Sequence, residues 1–134
     1  MARTQSPLML AGGAVRLTYG LASLFAPRFV AGRYAAAEPD SVMNLRGFGG
    51  QHVAVGIFTL LASRSRAMAR SVLLLNAAIE VCDMIAGGLE VRERGTRDPI
   101  AMGGVLVPLL GLATWLTALV MLKRRTGVEP ATSS

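Results

Sequence analysis

Apolar residues gather into four long runs along this 134-residue chain, and the polar residues that interrupt them fall at helical rather than alternating spacing. A hydrocarbon layer of about 30 Å takes about 20 helical residues to cross. Measured against that length, the runs read as segments at about 7–26, 44–63, 71–88 and 100–122. Inside lipid every backbone N–H and C=O must be satisfied by a helix or a closed barrel, and no stretch shows the alternation of a barrel strand, so helices follow. The expected fold is all-α, a transmembrane four-helix bundle with a polar interior over residues 7–122. Residues 1–6 then form an N-terminal cytoplasmic segment, and 123–134 a basic, disordered cytoplasmic tail.

The runs differ in detail. Arg3 precedes the first as in a secretory leader, but Arg16 breaks the apolar centre and no small-x-small cleavage pattern follows, so it reads as a retained span. The second has a glycine-rich first half, Gly47, Gly49 and Gly50, and a strongly apolar second half. The third is the least hydrophobic because it carries Asn76, Glu80 and Asp83. The fourth is the clearest, with Pro99 at its first turn, where a missing amide hydrogen does no harm. Ser65 to Ser71 reads as a tight basic turn. Pro27 to Met43 reads as a longer interfacial connection carrying Arg28, Arg33, Tyr34, Glu38 and Asp40, before Asp40 or Ser41 caps the second helix. No internal repeat stands out, and a two-plus-two hairpin ancestry stays open.

Residues at i, i+4, i+7 and i+11 share one face of a helix. The stripes are Gly12, Arg16, Tyr19 and Ser23 in the first helix, and Gly49, His52 and Gly56 with Thr59 nearby in the second. They are Asn76, Glu80, Asp83 and Gly87 in the third, and Gly104, Pro108, Gly111 and Trp115 in the fourth. Small residues on these faces allow the close approach on which packing in lipid depends, so the polar stripes are expected to turn inward. Counting depth at 1.5 Å per residue places Arg16 and Glu80 about nine residues in from one side and His52 about eight from the other. All three are therefore expected at the midplane, with Arg46 and Asp83 nearer the outer surface. An ionised group at the centre of a span costs on the order of 2.5–3.5 kcal/mol, so it is usually kept for pairing or for function.

Composition agrees with a membrane reading: 52% of residues are hydrophobic and 16% charged, far from the soluble average, and the mean hydropathy is +0.48. The net charge of +6 does not indicate nucleic acid. Its basic residues flank apolar runs instead of forming one exposed face with interleaved aromatics, and such flanking residues orient a membrane protein. With both termini inside, the cytoplasmic side holds Arg3, Arg64, Arg66, Arg70, Lys123, Arg124 and Arg125. The other side holds Arg28, Arg33, Arg92, Arg94 and Arg97, with Arg46 at its boundary. The expected location is the inner (cytoplasmic) membrane, multi-pass, with both termini cytoplasmic. Arg outnumbers Lys thirteen to one, and Ala and Gly are abundant, which fits a GC-rich bacterial genome. A single cysteine, Cys82, excludes an intrachain disulfide and reads as a small packing residue.

Arg16, Glu80 and Asp83, all ionised, would leave one surplus negative charge, so either Arg46 joins them or one carboxylate holds a proton. The candidate catalytic residues are Glu80, Asp83 and His52, and the candidate binding residues are Arg16, Tyr19, Arg46, Gln51, His52, Asn76, Glu80 and Asp83. Tyr19 would offer its hydroxyl to the cluster, and Asn76 and Gln51 would hydrogen-bond across helices. A purely structural lock of Arg16 with Glu80 accounts for the same charges without a site. One His and one Cys give no metal or haem site, and no cofactor is expected. Gly47-Phe48-Gly49-Gly50 after Arg46 lacks the phosphate-loop pattern, so these glycines serve helix approach or unwinding, with an anion at Arg46 and a helix N-terminus as the alternative. Glu90 to Asp98 reads as a solvated loop. No Ser/His/Asp or Cys/His constellation is present.

Arg16-Leu17 followed by Gly20, the run Gly49-Gly50-Gln51-His52 through Gly56, and the layout from about 7 to 122 resemble the small bacterial four-helix membrane proteins of the DoxX-like group. The resemblance implies the fold more than an activity. Where that group leads one to expect an acid in the second helix, this chain has Gln51 and His52, and its acids stand on the third. The leading function class is a binding or accessory membrane protein. A small membrane-embedded enzyme of isomerase, cyclase or hydratase type, using carboxylate acid/base chemistry on a lipophilic substrate, is the alternative. A transporter with four helices would need at least a dimer. Expected partners are membrane lipid, with a lipophilic small molecule, a membrane-protein partner or a second copy of the chain, and no nucleic acid.

Overall fold

A computed structural model of the protein describes residues 6–32, 39–97 and 99–126. Five helices run through them: α1 (Pro7–Phe25), α2 (Pro27–Ala31), α3 (Pro39–Ala62), α4 (Arg66–Arg94) and α5 (Pro99–Thr126), with no strand among the described residues. The chain divides into two compact units, one ending at Ser65 and the other starting at Arg66. In the first, α1 packs along α3 with the short α2 touching both; in the second, α4 packs along α5. The described architecture is thus two helical hairpins, and α2 was not among the four expected helices.

Among the described residues, three helices are long and apolar enough to cross a membrane: α1, α4 and the Met102–Arg124 stretch of α5. This is the make-up of a membrane protein. The fourth expected span, α3, is 24 residues long, but Asn44, Arg46, Gln51 and His52 dilute its apolar character.

Chain chemistry explains where the helices stop and where the expected boundaries move. Pro27 disfavours helical geometry at the residue before it, and α1 ends with Ala26 at φ −127°. Gly32, at φ +56°, closes α2 in a conformation that side-chain-bearing residues rarely adopt. Arg33, Tyr34 and Glu38 of the connection lie outside the described residues. Because α3 starts at Pro39, Asp40 and Ser41, the expected caps, fall within its first turn. The basic turn shortens to Ser63–Ser65, closed by the Ser65 amide donating to the Ala62 carbonyl at 3.0 Å, and Arg66 already begins α4. Arg and Ala are good helix formers, so the stretch after Ser65 joins the helix. At its far end α4 runs on to Arg94, held by an exposed Glu90–Arg94 pair at 2.7 Å one turn apart. The expected loop at Glu90–Asp98 therefore starts only at Gly95, which sits at φ +89° where such helices end. Of the tail expected to be disordered from 123 to 134, residues 123–126 instead continue α5, and its remainder, Arg3 and Asp98 lie outside the described residues.

Buried positions advance by alternate steps of four and three, the seam of a heptad pattern. On α1 they are Met9, Gly13, Arg16, Gly20 and Ser23. On α4 they include Ala69, Leu73, Asn76, Glu80 and Gly87. The α1 stripe therefore passes through Gly13 and Gly20, not Gly12 and Tyr19. Backbone proximity is the reason: a Cβ on Gly20 would lie 2.6 Å from the Val53 nitrogen, and one on Gly56 would lie 2.8 Å from the Leu17 nitrogen. In the second hairpin, Gly87 and Gly104 meet so closely that a Cβ on Gly87 would overlap the Gly104 carbonyl. Pro108, inside α5, removes the N–H that this carbonyl would otherwise accept within its helix.

The remaining hydroxyls are largely satisfied within their own helices. Thr59 donates to Val55 O at 2.7 Å, Ser63 to Leu60 O at 2.6 Å, Thr114 to Leu110 O at 2.9 Å and Thr117 to Ala113 O at 2.8 Å. Large apolar side chains such as Val15, Phe25, Ile85, Val107 and Leu110 point outward, as lipid-facing positions do. Cys82 is exposed on α4 and is not the packing residue expected.

Candidate functional site

Two polar clusters form, one in each hairpin. In the first, Arg16 is 5% exposed on the α1 seam, one step from Gly13 and one from Gly20. Gly20 and Gly49 let the α1 and α3 backbones touch, and His52, one turn on from Gly49, comes within reach of the guanidinium. Arg16 Nη1 donates to His52 Nδ1 at 3.4 Å. Since a guanidinium only donates, Nδ1 accepts and the imidazole proton sits on Nε2. Phe48, one turn earlier on α3, lies 4.3 Å from the His52 ring, and Tyr19 meets that ring edge-on at 5.4 Å. Tyr19 is 40% exposed, so it walls the cluster from outside. Ser23 is fully buried two steps along the seam, and its hydroxyl has no hydrogen-bond partner among the described residues.

In the second hairpin, Glu80 is 8% exposed on the α4 seam. Its Oε1 accepts a hydrogen bond from the Trp115 indole N–H at 3.0 Å. Gly111 on α5 makes the room: a Cβ there would lie 2.5 Å from the Glu80 carboxyl carbon and from Oε1. Asn76, one turn earlier and fully buried, donates to its own helix at Val72 O, 2.8 Å away. Asp83, one turn later, is half-buried on the same face.

The structure thus groups Arg16, Tyr19 and His52 in one hairpin, and Asn76, Glu80 and Asp83 along one face in the other. Arg46 and Gln51 it leaves exposed on α3. Arg46 lies about two turns into α3, so it marks no helix N-terminus and the expected anion site there has no basis. Gly47 and Gly50 face open space, and only Gly49 of that run serves close approach. Among the described residues no group of three His, Cys, Asp or Glu could hold a metal ion. Phe48 and the Trp115 donor were missed as site residues. The signal for Trp115 was available: a buried indole N–H needs an acceptor, and on the facing helix the carboxylate at matching depth is Glu80.

Chemically, each cluster presents an ionisable head anchored by a ring nitrogen of the neighbouring helix, with apolar surface around it. Comparison with family models, curated proteins and solved structures finds no match to the chain.

Proposed function

We propose that this is a multi-pass protein of the bacterial inner membrane, both termini cytoplasmic, with a binding or accessory role, in which Arg16–His52 and Glu80–Trp115 are the polar elements that recognise a lipophilic small molecule or a membrane-protein partner. One observation carries the reading: two ionisable side chains, Arg16 and Glu80, are buried in helices apolar enough to cross a membrane, and each is oriented by a ring from the adjacent helix. Charges in such positions are costly to keep and usually mark function. A DoxX-like membership belongs to the same proposal, resting on Arg16-Leu17, Gly20 and the run Gly49 through Gly56, of which Gly20, Gly49 and Gly56 lie on the α1–α3 seam.

The test is purification from membranes in mild detergent of the wild type, Glu80→Gln, Arg16→Gln and Arg16→Lys, with mass spectrometry of everything retained. Wild type should resist alkaline extraction and retain a partner or lipophilic compound. Glu80→Gln and Arg16→Gln should lose it at unchanged helicity, and Arg16→Lys should keep part. Release of the wild type by alkaline extraction would remove the membrane reading. An identical retained set in all four proteins would remove the binding reading.

A further inference from the structure

The second hairpin ends in a cluster of basic residues. Its helices run antiparallel, since Gly87 meets Gly104 while Glu80 meets Gly111 and Trp115. Continuing that register brings Arg66 and Arg70 of α4 level with Lys123 and Arg124 of α5. All four side chains are exposed. No Asp or Glu occurs between Asp40 and Glu80, or between Asp98 and Glu129, so nothing acidic on either helix dilutes this end. At the opposite end, Arg92 and Arg94 are interspersed with Glu90 and Glu93, and Arg94 is bound to Glu90. Inward of the four cations, past Ser71, the exposed residues turn apolar: Leu74 on α4, Val120 and Met121 on α5.

Cations at the edge of an apolar span, with an exposed apolar wall directly beneath, fit a molecule that is anionic at one end and aliphatic at the other. We propose that this end of the α4–α5 hairpin binds an anionic phospholipid, its phosphodiester held by Arg66, Arg70, Lys123 and Arg124 and its acyl chains lying along Leu74, Val120 and Met121. Arg forks match phosphate oxygens in pairs, and basic clusters at span ends attract anionic headgroups. The proposal deepens the membrane reading and rests on it.

The experiment titrates detergent-solubilised full-length protein with phosphatidylglycerol, phosphatidylcholine or inorganic phosphate and reads bound lipid by native mass spectrometry. Wild type should prefer phosphatidylglycerol at least about tenfold. Combined Arg66→Gln, Arg70→Gln, Lys123→Gln and Arg124→Gln should abolish the preference, and combined Arg92→Gln, Arg94→Gln and Arg97→Gln should leave it. Should the fourfold variant not assemble, Arg70→Gln and Lys123→Gln made singly should each lower the preference. Millimolar inorganic phosphate should not displace the lipid. Equal binding of the two lipids, a preference that survives removal of the cations, or displacement by phosphate alone would each overturn the assignment. A wild type that never fractionates with membranes would instead count against the membrane reading itself.

Discussion

Gly20→Ala tests whether backbone contact sets the α1–α3 seam. A Cβ at position 20 would sit 2.6 Å from the Val53 nitrogen, 2.8 Å from the Gly49 carbonyl oxygen and 3.0 Å from the His52 carbonyl carbon. All three are backbone atoms, so no side-chain rotation relieves them. Ordinary contact begins near 3.4 Å, and α3 would have to withdraw by about 0.8 Å at that point. A gap of that size forfeits a quarter to a half of the dispersion energy of each facing atom pair, and overpacking of this kind costs about 1–3 kcal/mol. It would also carry Arg16 Nη1 and His52 Nδ1, already 3.4 Å apart, beyond hydrogen-bond reach. Gly50→Ala is the control. There a Cβ meets nothing within 4 Å, and Gly→Ala inside a helix gains about 0.5–1 kcal/mol. Helix propensity is common to both variants, so their difference isolates the contact at about 1–3 kcal/mol. Reversible unfolding in detergent, followed by far-UV circular dichroism, measures it. Equal stabilities for the two variants would refute the reasoning.

Two further substitutions probe the second hairpin. Gly111→Ala should drive the Glu80 carboxylate out of its notch and strip the Trp115 N–H of its acceptor, at about 1–3 kcal/mol. Trp115 is the chain's single tryptophan, so its emission reports the change directly, and in a Glu80→Ala background Gly111→Ala should cost little further, because no carboxylate is left to displace. Gly87→Ala, which meets the Gly104 carbonyl, should destabilise the protein by about 1–3 kcal/mol in the same unfolding assay. Gly88→Ala, next to it but facing open space, should not.

What the sequence disclosed depended on whether one helix sufficed to decide it. The α4 and α5 faces could be read from single-helix periodicity, because Asn76, Glu80 and Gly87, and Pro108 and Trp115, are buried as their spacing indicates. On α1 two phases share Arg16 and Ser23, and adjacent glycines at 12 and 13 give composition nothing to choose between. The choice is made by α3: its backbone lies where a Tyr19 ring would need to go, so Gly20 turns inward. Arg46 and Gln51 were expected from polarity, yet the described polar residues of α3 do not share one face: Arg46 and Gln51 are exposed while His52 meets Arg16. Helix ends moved because Arg66–Arg70 and Glu90–Arg94 are polar but strongly helix-forming, so the helices outrun their apolar cores at both ends.

Glycine and charge occupy the same seams for a physical reason. Glu80 fits only because Gly111 has no side chain, and Arg16 reaches His52 only because Gly20 and Gly49 bring their helices together. Packing alone does not demand this combination. A glycine inside a helix costs about 1 kcal/mol relative to alanine, and an ion at the centre of a span costs on the order of 2.5–3.5 kcal/mol. Alanine and leucine at the same heptad positions would join two helices without either penalty. A seam that carries both penalties in each hairpin is organised around its polar groups. That is why the glycines that bring the helices carrying Arg16 and Glu80 into contact, and not those facing open space, are the positions at which substitution should impair stability and partner retention together.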